Sequence, residues 1–292
     1  MFNEPHAPGI YVDLPMDEYL GDPSLSASGC KEVNEDLGRY WHNSGNNTID
    51  DDQTEEEGVE RKFGTAYHMM VLEPKKFNAT YKIKAGVKQT KAEDMLGEGE
   101  YQTMLKMRAA LFAGSKRREL LDGAVPEVSF FWRDEQTNVP CRIRVDAFAP
   151  ICWSDLKALR SVKTGALRTL IPAYGFDVTG VFYSEAWNVL RKMIAAGYKM
   201  PEPFTDEFVR KFMECPNPRL AFMMQEKAAP FITRTQLFTR GVAEVGLAKV
   251  QQAMHKYALA MEQHEPGEPW PVEYPEIENM EIENLSSNIF YN

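Results

Sequence analysis

The chain of 292 residues is poor in cysteine and contains no cysteine motif. Its four cysteines, Cys30, Cys141, Cys152 and Cys215, are widely spaced and form no Cys-x-x-Cys pair. This spacing argues against a zinc ribbon and an iron–sulfur cluster, and it gives no support for a disulfide framework. We therefore predict buried free thiols.

Long apolar runs are also missing. No segment approaches the roughly 18 to 20 apolar residues needed to cross a bilayer, and the N-terminus MFNEPHAPGI lacks the features of a signal peptide. Hydrophobic residues nevertheless make up 43% of the chain, which is enough to build a core and excludes a disordered or fibrous protein. We expect a soluble, cytoplasmic protein without a membrane partner.

Basic residues do not dominate either, since 33 Lys and Arg face 43 Asp and Glu, for a formal charge of −10. Such a balance argues against a nucleic-acid partner, because affinity for phosphates comes mostly from basic side chains. The acids are concentrated, however: residues 49–60 hold seven acids and no base, and residues 273–283 hold five. The stretch 142–168 instead holds six basic residues against two aspartates. A local basic face is therefore compatible with an acidic whole.

Hydrophobic periodicity predicts an α+β protein. Helical spacing is found in 24–41, from Val59 to Pro74, in one or two helices within 91–121, and in 177–198 and 242–263. The polar segment 42–58 between the first two helices is predicted to be a loop. Alternating patterns predict strands in 127–133, 141–149 and 151–157, joined by short connections as an antiparallel meander, and two later strands in 219–227 and 230–238. With no repeat or linker, we expect one domain (1–292), made of an N-terminal helical part (1–121), a core (122–264) and a C-terminal tail (265–292).

One constellation in the meander suggests chemistry. Asp146 lies near the end of one predicted strand, and Asp155 and Lys157 lie on the next, so hairpin geometry can bring the two carboxylates together. Lys157 points to the same face as Asp155. Hard oxygen ligands suit Mg²⁺ or Mn²⁺, which can activate water and neutralise a phosphodiester, while the lysine orients the water or stabilises the transition state. On composition alone, a solvated salt bridge is the competing interpretation.

Further motifs follow in a fixed order. GTAYH at 64–68, EVSFFW at 127–132, CRIRVD at 141–146, DLK at 155–157 and YGFDVTGVFY at 174–183 together resemble the RecE (exonuclease VIII) family. That family comprises phage and prophage double-strand DNA exonucleases of the PD-(D/E)XK nuclease superfamily. The resemblance covers roughly residues 11–271. It implies an α+β fold with a central mixed sheet flanked by helices.

The resemblance implies a metal centre with a catalytic lysine. Asp146 and Asp155 match the two metal-binding aspartates, and the backbone carbonyl of Leu156 is an additional candidate ligand. His68 matches a histidine that reaches the metal, against the alternative of a packed or solvated side chain. Lys157 matches the catalytic lysine.

Two further matches carry open alternatives. Glu127 matches an acidic position that binds a second ion or water, or it is a surface glutamate at the start of a strand. Tyr183 matches a tyrosine whose hydroxyl contacts a phosphate, or it is a core aromatic. The sequence departs from the family at Thr179, where Gln is common, and at Ala158, where Thr is common. A threonine hydroxyl can still contact a phosphate or water but has a shorter reach, so we expect activity to survive.

The resemblance suggests that the basic stretch 142–168 contacts DNA. A solvated basic surface is the alternative. We predict that DNA is contacted by residues on and after the active strands, namely Arg142, Arg144, Arg160, Lys163, Arg168 and Thr179. An acidic exterior and a basic channel would suit a ring-shaped homo-oligomer that admits DNA through its pore.

The function implied by these observations is Mg²⁺-dependent hydrolysis of linear double-stranded DNA, with Mn²⁺ able to substitute. By the resemblance, digestion runs 5′ to 3′ and leaves a 3′ single strand for an annealing protein or recombinase, in the cytoplasm of a bacterial host of the phage or prophage. A nuclease-fold protein that has lost catalysis and binds DNA or a partner is the alternative, motivated by Thr179 and Ala158. Nucleases with an iron–sulfur cluster are excluded by the absence of clustered cysteines.

Overall fold

A computed structural model of the chain describes residues 4–44, 55–265 and 267–272, without the side chains of 55–61. The strands are β1 Gly9–Tyr11, β2 Lys82–Lys84, β3 Met95–Gly97, β4 Val125–Arg133, β5 Pro140–Phe148, β6 Trp153–Leu159, β7 Leu220–Glu226 and β8 Thr233–Leu237. The helices are α1 Met16–Gly21, α2 Ala27–Glu35, α3 Leu37–Asn43, α4 Glu55–Leu72, α5 Pro74–Thr80, α6 Glu98–Phe112, α7 Ser115–Leu121, α8 Thr164–Ala173, α9 Phe176–Ala195, α10 Asp206–Glu214 and α11 Arg240–Gln263.

Six strands form the central sheet in the order β1-β4-β5-β6-β7-β8. Strands β4, β5 and β6 form the predicted antiparallel meander. Strand β7 then pairs parallel with β6, and β8 pairs antiparallel with β7, so the sheet is mixed. The predicted α+β fold with a central mixed sheet is confirmed. The edge strand β1 comes from the N-terminal part of the chain and pairs with β4.

Helices cover the sheet in two groups. Apolar side chains of α2, α9 and α11 pack with Cys141, Ile143 and Val145 of β5 in the larger core cluster. A second cluster lies between α4 and α6 and includes Leu156 of β6 and Met223 of β7. Because α4 packs against β5 and β6, it is held over the middle of the meander. Within the described residues, no helix is both long and apolar enough to span a membrane.

The helix predicted for 24–41 is two helices, α2 and α3, and the break lies at Asp36. The Asp36 backbone N–H donates to the carbonyl of Glu32, and its Oδ1 accepts from the Arg39 N–H at 2.6 Å. An aspartate that ends one helix and caps the next favours a break over continuation. Helices α1, α5, α8 and α10 and strands β1, β2 and β3 were not predicted, since these elements are short and α8 contains Pro172. The predicted loop 42–58 overlaps the first residues of α4, and its centre, 45–54, lies outside the described residues.

Helices α9 and α11 pack closely enough to require a glycine. A Cβ added to Gly246 of α11 would lie 2.4 Å from the carbonyl oxygen of Asp177 in α9. We therefore expect Gly246→Ala to lower stability by about 1–3 kcal/mol, because overpacking against backbone outweighs alanine's higher helix propensity. Thermal unfolding measures this. Gly241→Ala on the same helix is the matched control, since its Cβ would meet nothing within 4 Å and stability should hold. Equal melting temperatures for both variants would contradict the prediction.

Candidate metal centre

Three neighbouring strands place three carboxylates side by side. The pairs Pro126↔Ala147 and Val128↔Val145 put Glu127 of β4 directly opposite Asp146 of β5. Strands β5 and β6 pair only at Ala147↔Ser154 and Phe148↔Trp153, and the same register continued by one step aligns Asp146 with Asp155. The two strands thus separate at the carboxylates. We call this separation of β5 and β6 the fork. It opens the sheet between Asp146 and Asp155, while β5 stays paired with β4 and β6 stays paired with β7.

The fork is held in shape by one hydrogen bond. The backbone N–H of Leu156 donates to the side-chain Oδ2 of Asp146 on β5 at 2.7 Å, where a regular ladder would use a backbone carbonyl. The Leu156 carbonyl faces the same side, because the N–H and C=O of one strand residue point the same way. Asp146 is 9% exposed, so its carboxylate is oriented and shielded but still open to the fork.

Helix α4 adds a histidine to the carboxylates. His68 Nδ1 lies 3.6 Å from Asp146 Oδ2, and one ligand atom each of His68, Glu127 and Asp146 lies within 4.8 Å of the others. Glu127 reaches this position with a φ of 51°, in the left-handed region that non-glycine residues rarely adopt. Such backbone conformations cost on the order of 1–3 kcal/mol and concentrate at functional sites. Asp155 lies outside this three-residue set.

Asp155 is instead paired with the lysine. Lys157 Nζ lies 3.0 Å from Asp155 Oδ1, and the side chain of Lys157 is 37% exposed while that of Asp155 is 6% exposed. The buried aspartate thus holds the ammonium in place, while the lysine side chain stays partly accessible to solvent. The structure therefore brings His68, Glu127, Asp146, Asp155 and Lys157 together, with the Leu156 backbone between them.

The centre holds three carboxyl groups and one ammonium group. Burial and then the neighbouring Asp146 raise the pKa of Glu127 to about 8, and burial raises the pKa of Asp155 above its usual range. Burial opposes the charge on Lys157, but Asp155 and Asp146 outweigh it and raise the pKa of the ammonium. A divalent cation among oxygen ligands would relieve this repulsion, and the donor set of carboxylates plus one imidazole fits Mg²⁺ or Mn²⁺. The chain therefore contains a possible metal site.

A cleft of about 290 Å³ opens beside Asp155 and Lys157. It is bounded by α9 and by residues that sequence reasoning did not place in the site, namely Tyr19, Ser26, Ser28, Tyr174 and Phe176. Ser26 also caps α2 by accepting from the Gly29 N–H at 3.1 Å. The capping role was visible in the sequence, but the neighbourhood of a lysine more than a hundred residues away was not.

Arg142 lines the cleft, and its guanidinium donates to backbone carbonyls of the same chain. The side chain is 7% exposed, and its Nη1 donates to the backbone carbonyls of Tyr19 and Asp22. Its guanidinium also lies over the Tyr19 ring, 4.8 Å from the centroid. Arg142 therefore anchors the segment before α2 while it also lines the cleft, and its DNA contact stays a prediction.

Arg144 and Tyr183 are also engaged inside the protein. Arg144 donates to Ser129 Oγ at 2.9 Å and to the Leu14 carbonyl at 2.7 Å, and it lies 4.4 Å from the Tyr19 ring centroid. The Tyr183 hydroxyl donates to the Arg144 carbonyl at 2.7 Å, and the side chain is 6% exposed. Arg144 and Tyr183 both line the cleft, so the DNA contact of Arg144 and the two alternatives for Tyr183, a phosphate contact or a core aromatic, stay predictions.

The remaining predicted DNA contacts lie beside or beyond the cleft. Thr179 lines the cleft, and its hydroxyl donates to the Gly175 carbonyl at 3.0 Å. Arg160 and Lys163 are exposed between the end of β6 and the start of α8, and Arg168 is exposed on α8. Their DNA-binding roles stay predictions.

The comparison with known families agrees with this geometry. The model of a family described as a PDDEXK-like domain of unknown function (DUF3799) matches residues 31–202. The chain belongs to this PDDEXK-like family. The matched region contains α4, the meander and every residue of the candidate centre. The match supports the superfamily and does not single out its RecE-like branch.

A solved structure has a similar fold. The structure of a candidate exonuclease from Eubacterium rectale is similar to this PDDEXK-like chain, with a TM-score of 0.57 and 14% sequence identity. The similarity covers 95% of this chain and 99% of that one. At this identity the likeness shows the fold alone. No curated protein sequence matches the chain.

Proposed function

We propose that the chain is a divalent-metal-dependent nuclease that hydrolyses phosphodiester bonds in DNA. The observation that carries the proposal is the fork between β5 and β6, where Asp146, Glu127 and His68 converge next to the Asp155–Lys157 pair. Hydrolysis of a phosphodiester builds up negative charge on the phosphate in the transition state. Oxygen ligands that hold a hard cation next to an accessible ammonium can stabilise that charge. Membership in a PDDEXK-like family supports the same reaction class.

Each residue of the centre has a distinct proposed task. Glu127, Asp146 and His68 would hold the cation, with Asp155 and the Leu156 carbonyl next to them. When bound, the cation supplies positive charge at the phosphate and acidifies a water molecule. Lys157 donates hydrogen bonds to the scissile phosphate or the attacking water, and Asp155 fixes the ammonium for that contact. The Leu156 N–H keeps the Asp146 carboxylate in one orientation.

The finer assignment follows the RecE-like resemblance. We propose Mg²⁺ as the natural cation with Mn²⁺ as a substitute, linear duplex DNA as substrate, and 5′ to 3′ digestion that leaves a 3′ single strand. An annealing protein or recombinase would receive that strand in the bacterial cytoplasm. With a net charge of −10, the chain should hold duplex DNA poorly on an open surface. We therefore also propose that identical single-domain subunits form a closed ring around the duplex.

A plasmid assay tests this proposal. Supercoiled plasmid and the same plasmid linearised are incubated side by side with the full chain, with Mg²⁺ or with EDTA. We expect loss of the linear form only, and only with Mg²⁺, because an enclosed site needs a free end. Cutting of the supercoiled form at a similar rate would indicate an open endonuclease site. Survival of both forms would favour a nuclease-fold protein without catalysis.

A further inference from the structure

A second groove lies away from the cleft, on the side of the molecule where α4 and α6 meet the end of β7. Its volume is about 510 Å³, which is within the range of pockets that enclose small ligands. Three lysines line it, Lys88 before β3, Lys106 on α6 and Lys227 after β7. Lys88 and Lys106 are exposed, and within the described residues neither takes part in a salt bridge. Among the residues that line the groove, three lysines face one glutamate, which is an excess of positive charge.

The groove also offers groups that suit a base rather than a phosphate. Phe63 of α4, which is half-buried, contributes an aromatic ring to the lining. Glu100 lines the same groove at 7% exposure, and its Oε2 accepts from the Gly97 N–H at 2.8 Å. Its Oε1 is buried and has no hydrogen-bond partner among the described residues. An acceptor without a partner and an aromatic ring in the lining of one groove are groups that can bind the N–H and the face of an unpaired base.

The groove lies close to the metal centre. Phe63 precedes His68 by five residues on α4, or about 7.5 Å along the helix axis. Lys157 of β6 pairs with Met224 of β7, and Lys227 lies three residues after Met224. Lys227 is therefore about 10 Å farther along the strand direction than Lys157. These offsets along the helix and the sheet correspond to a few nucleotides of single-stranded DNA.

We infer that this groove binds an unpaired nucleotide of single-stranded DNA, with the lysines on the phosphates, Phe63 against the base and Glu100 as acceptor. Cations that follow the backbone together with aromatic stacking are the usual means of holding single strands. A base in duplex DNA has both faces covered by its neighbours and cannot stack on Phe63. The inference deepens the proposed function and rests on it, because the strand is taken to be one that the centre has separated or is about to cut.

Binding of fluorescently labelled oligo(dT) to the full chain in EDTA tests the inference by anisotropy. Without metal, the result does not depend on whether the chain cleaves DNA. We expect Lys88→Gln/Lys106→Gln to weaken binding about tenfold and Phe63→Leu about fivefold, through lost phosphate contacts and lost stacking. Leucine keeps most of the apolar packing of Phe63. The matched control is Lys116→Gln/Lys199→Gln, which removes two exposed lysines outside the groove and should leave binding unchanged.

Three results would overturn the inference. The first is wild-type affinity in both groove variants. The second is an equal loss of affinity for blunt duplex DNA, which would make the groove a duplex-backbone site. The third is competition by free dTMP as strong as that by the oligonucleotide, which would make it a mononucleotide site. Absence of cleavage in the plasmid assay together with the expected oligo(dT) results would instead reject only the nuclease proposal.

Discussion

Replacing Asp155 by Asn is expected to reduce metal-dependent DNA cleavage by on the order of a thousandfold or more, because the amide keeps the shape but loses the charge that the cation and Lys157 require. The same result is expected for Asp146→Asn. Its carboxylate accepts a hydrogen bond from the Leu156 N–H and faces both His68 and Glu127. An amide at this position would therefore weaken cation binding.

Thermal stability should behave differently from activity in the Asp155→Asn variant. Burial raises the pKa of Asp155 even with Lys157 beside it, so the ionised carboxylate is less favourable in the folded chain than in the unfolded one. A neutral side chain removes that penalty, and the melting temperature should not fall. A folded, stable and inactive variant would separate a functional residue from a structural one.

Cleavage of linear DNA and thermal unfolding are measured on the same samples. Glu135→Gln is a suitable control, because this acid lies on the β4–β5 turn with 67% of its side chain exposed. It should retain full activity. Near-normal cleavage by Asp155→Asn or Asp146→Asn would reject the assignment of the centre.

The meander and its acidic residues could be predicted because a strand repeats every two residues. Asp155 and Lys157 share a face for that reason, and short connections make Asp146 the neighbour of Asp155. The fork itself could not be predicted, since it depends on where β5 and β6 stop pairing. The left-handed φ of Glu127 has no sequence signal either, because glutamate is not a residue that favours it.

The contacts that could not be predicted are those of residues whose environment comes from distant parts of the chain. Arg142 alternates on its strand as an exposed basic residue would, but the carbonyls that it binds belong to residues about 120 positions earlier. Tyr183 is similarly committed to a carbonyl 39 residues away. Local periodicity reports which side of a strand or helix a residue occupies, but not whether another segment covers that side.

Lys157→Ala is expected to lower the rate of cleavage by on the order of 100-fold to 1,000-fold, the cost of losing one well-placed hydrogen-bond donor to the reacting group. DNA affinity should fall by no more than about fivefold, because one ammonium is one phosphate contact among several. Single-turnover cleavage and anisotropy of a labelled duplex in Ca²⁺ or EDTA measure the two quantities separately. Equal losses in both would make Lys157 a DNA-positioning residue.

The charge state of Lys157 distinguishes two versions of its role. In the chain without a bound cation, Asp155 and Asp146 raise the pKa of Lys157 above its usual range, which favours the ammonium form. We therefore expect Lys157 to act as a hydrogen-bond donor and a positive charge. Lys157→Arg, which keeps the charge with a different shape, should retain more activity than Lys157→Ala. If the lysine were a general base, arginine would be as inactive as alanine, and the wild-type rate would rise with pH until the lysine lost its proton.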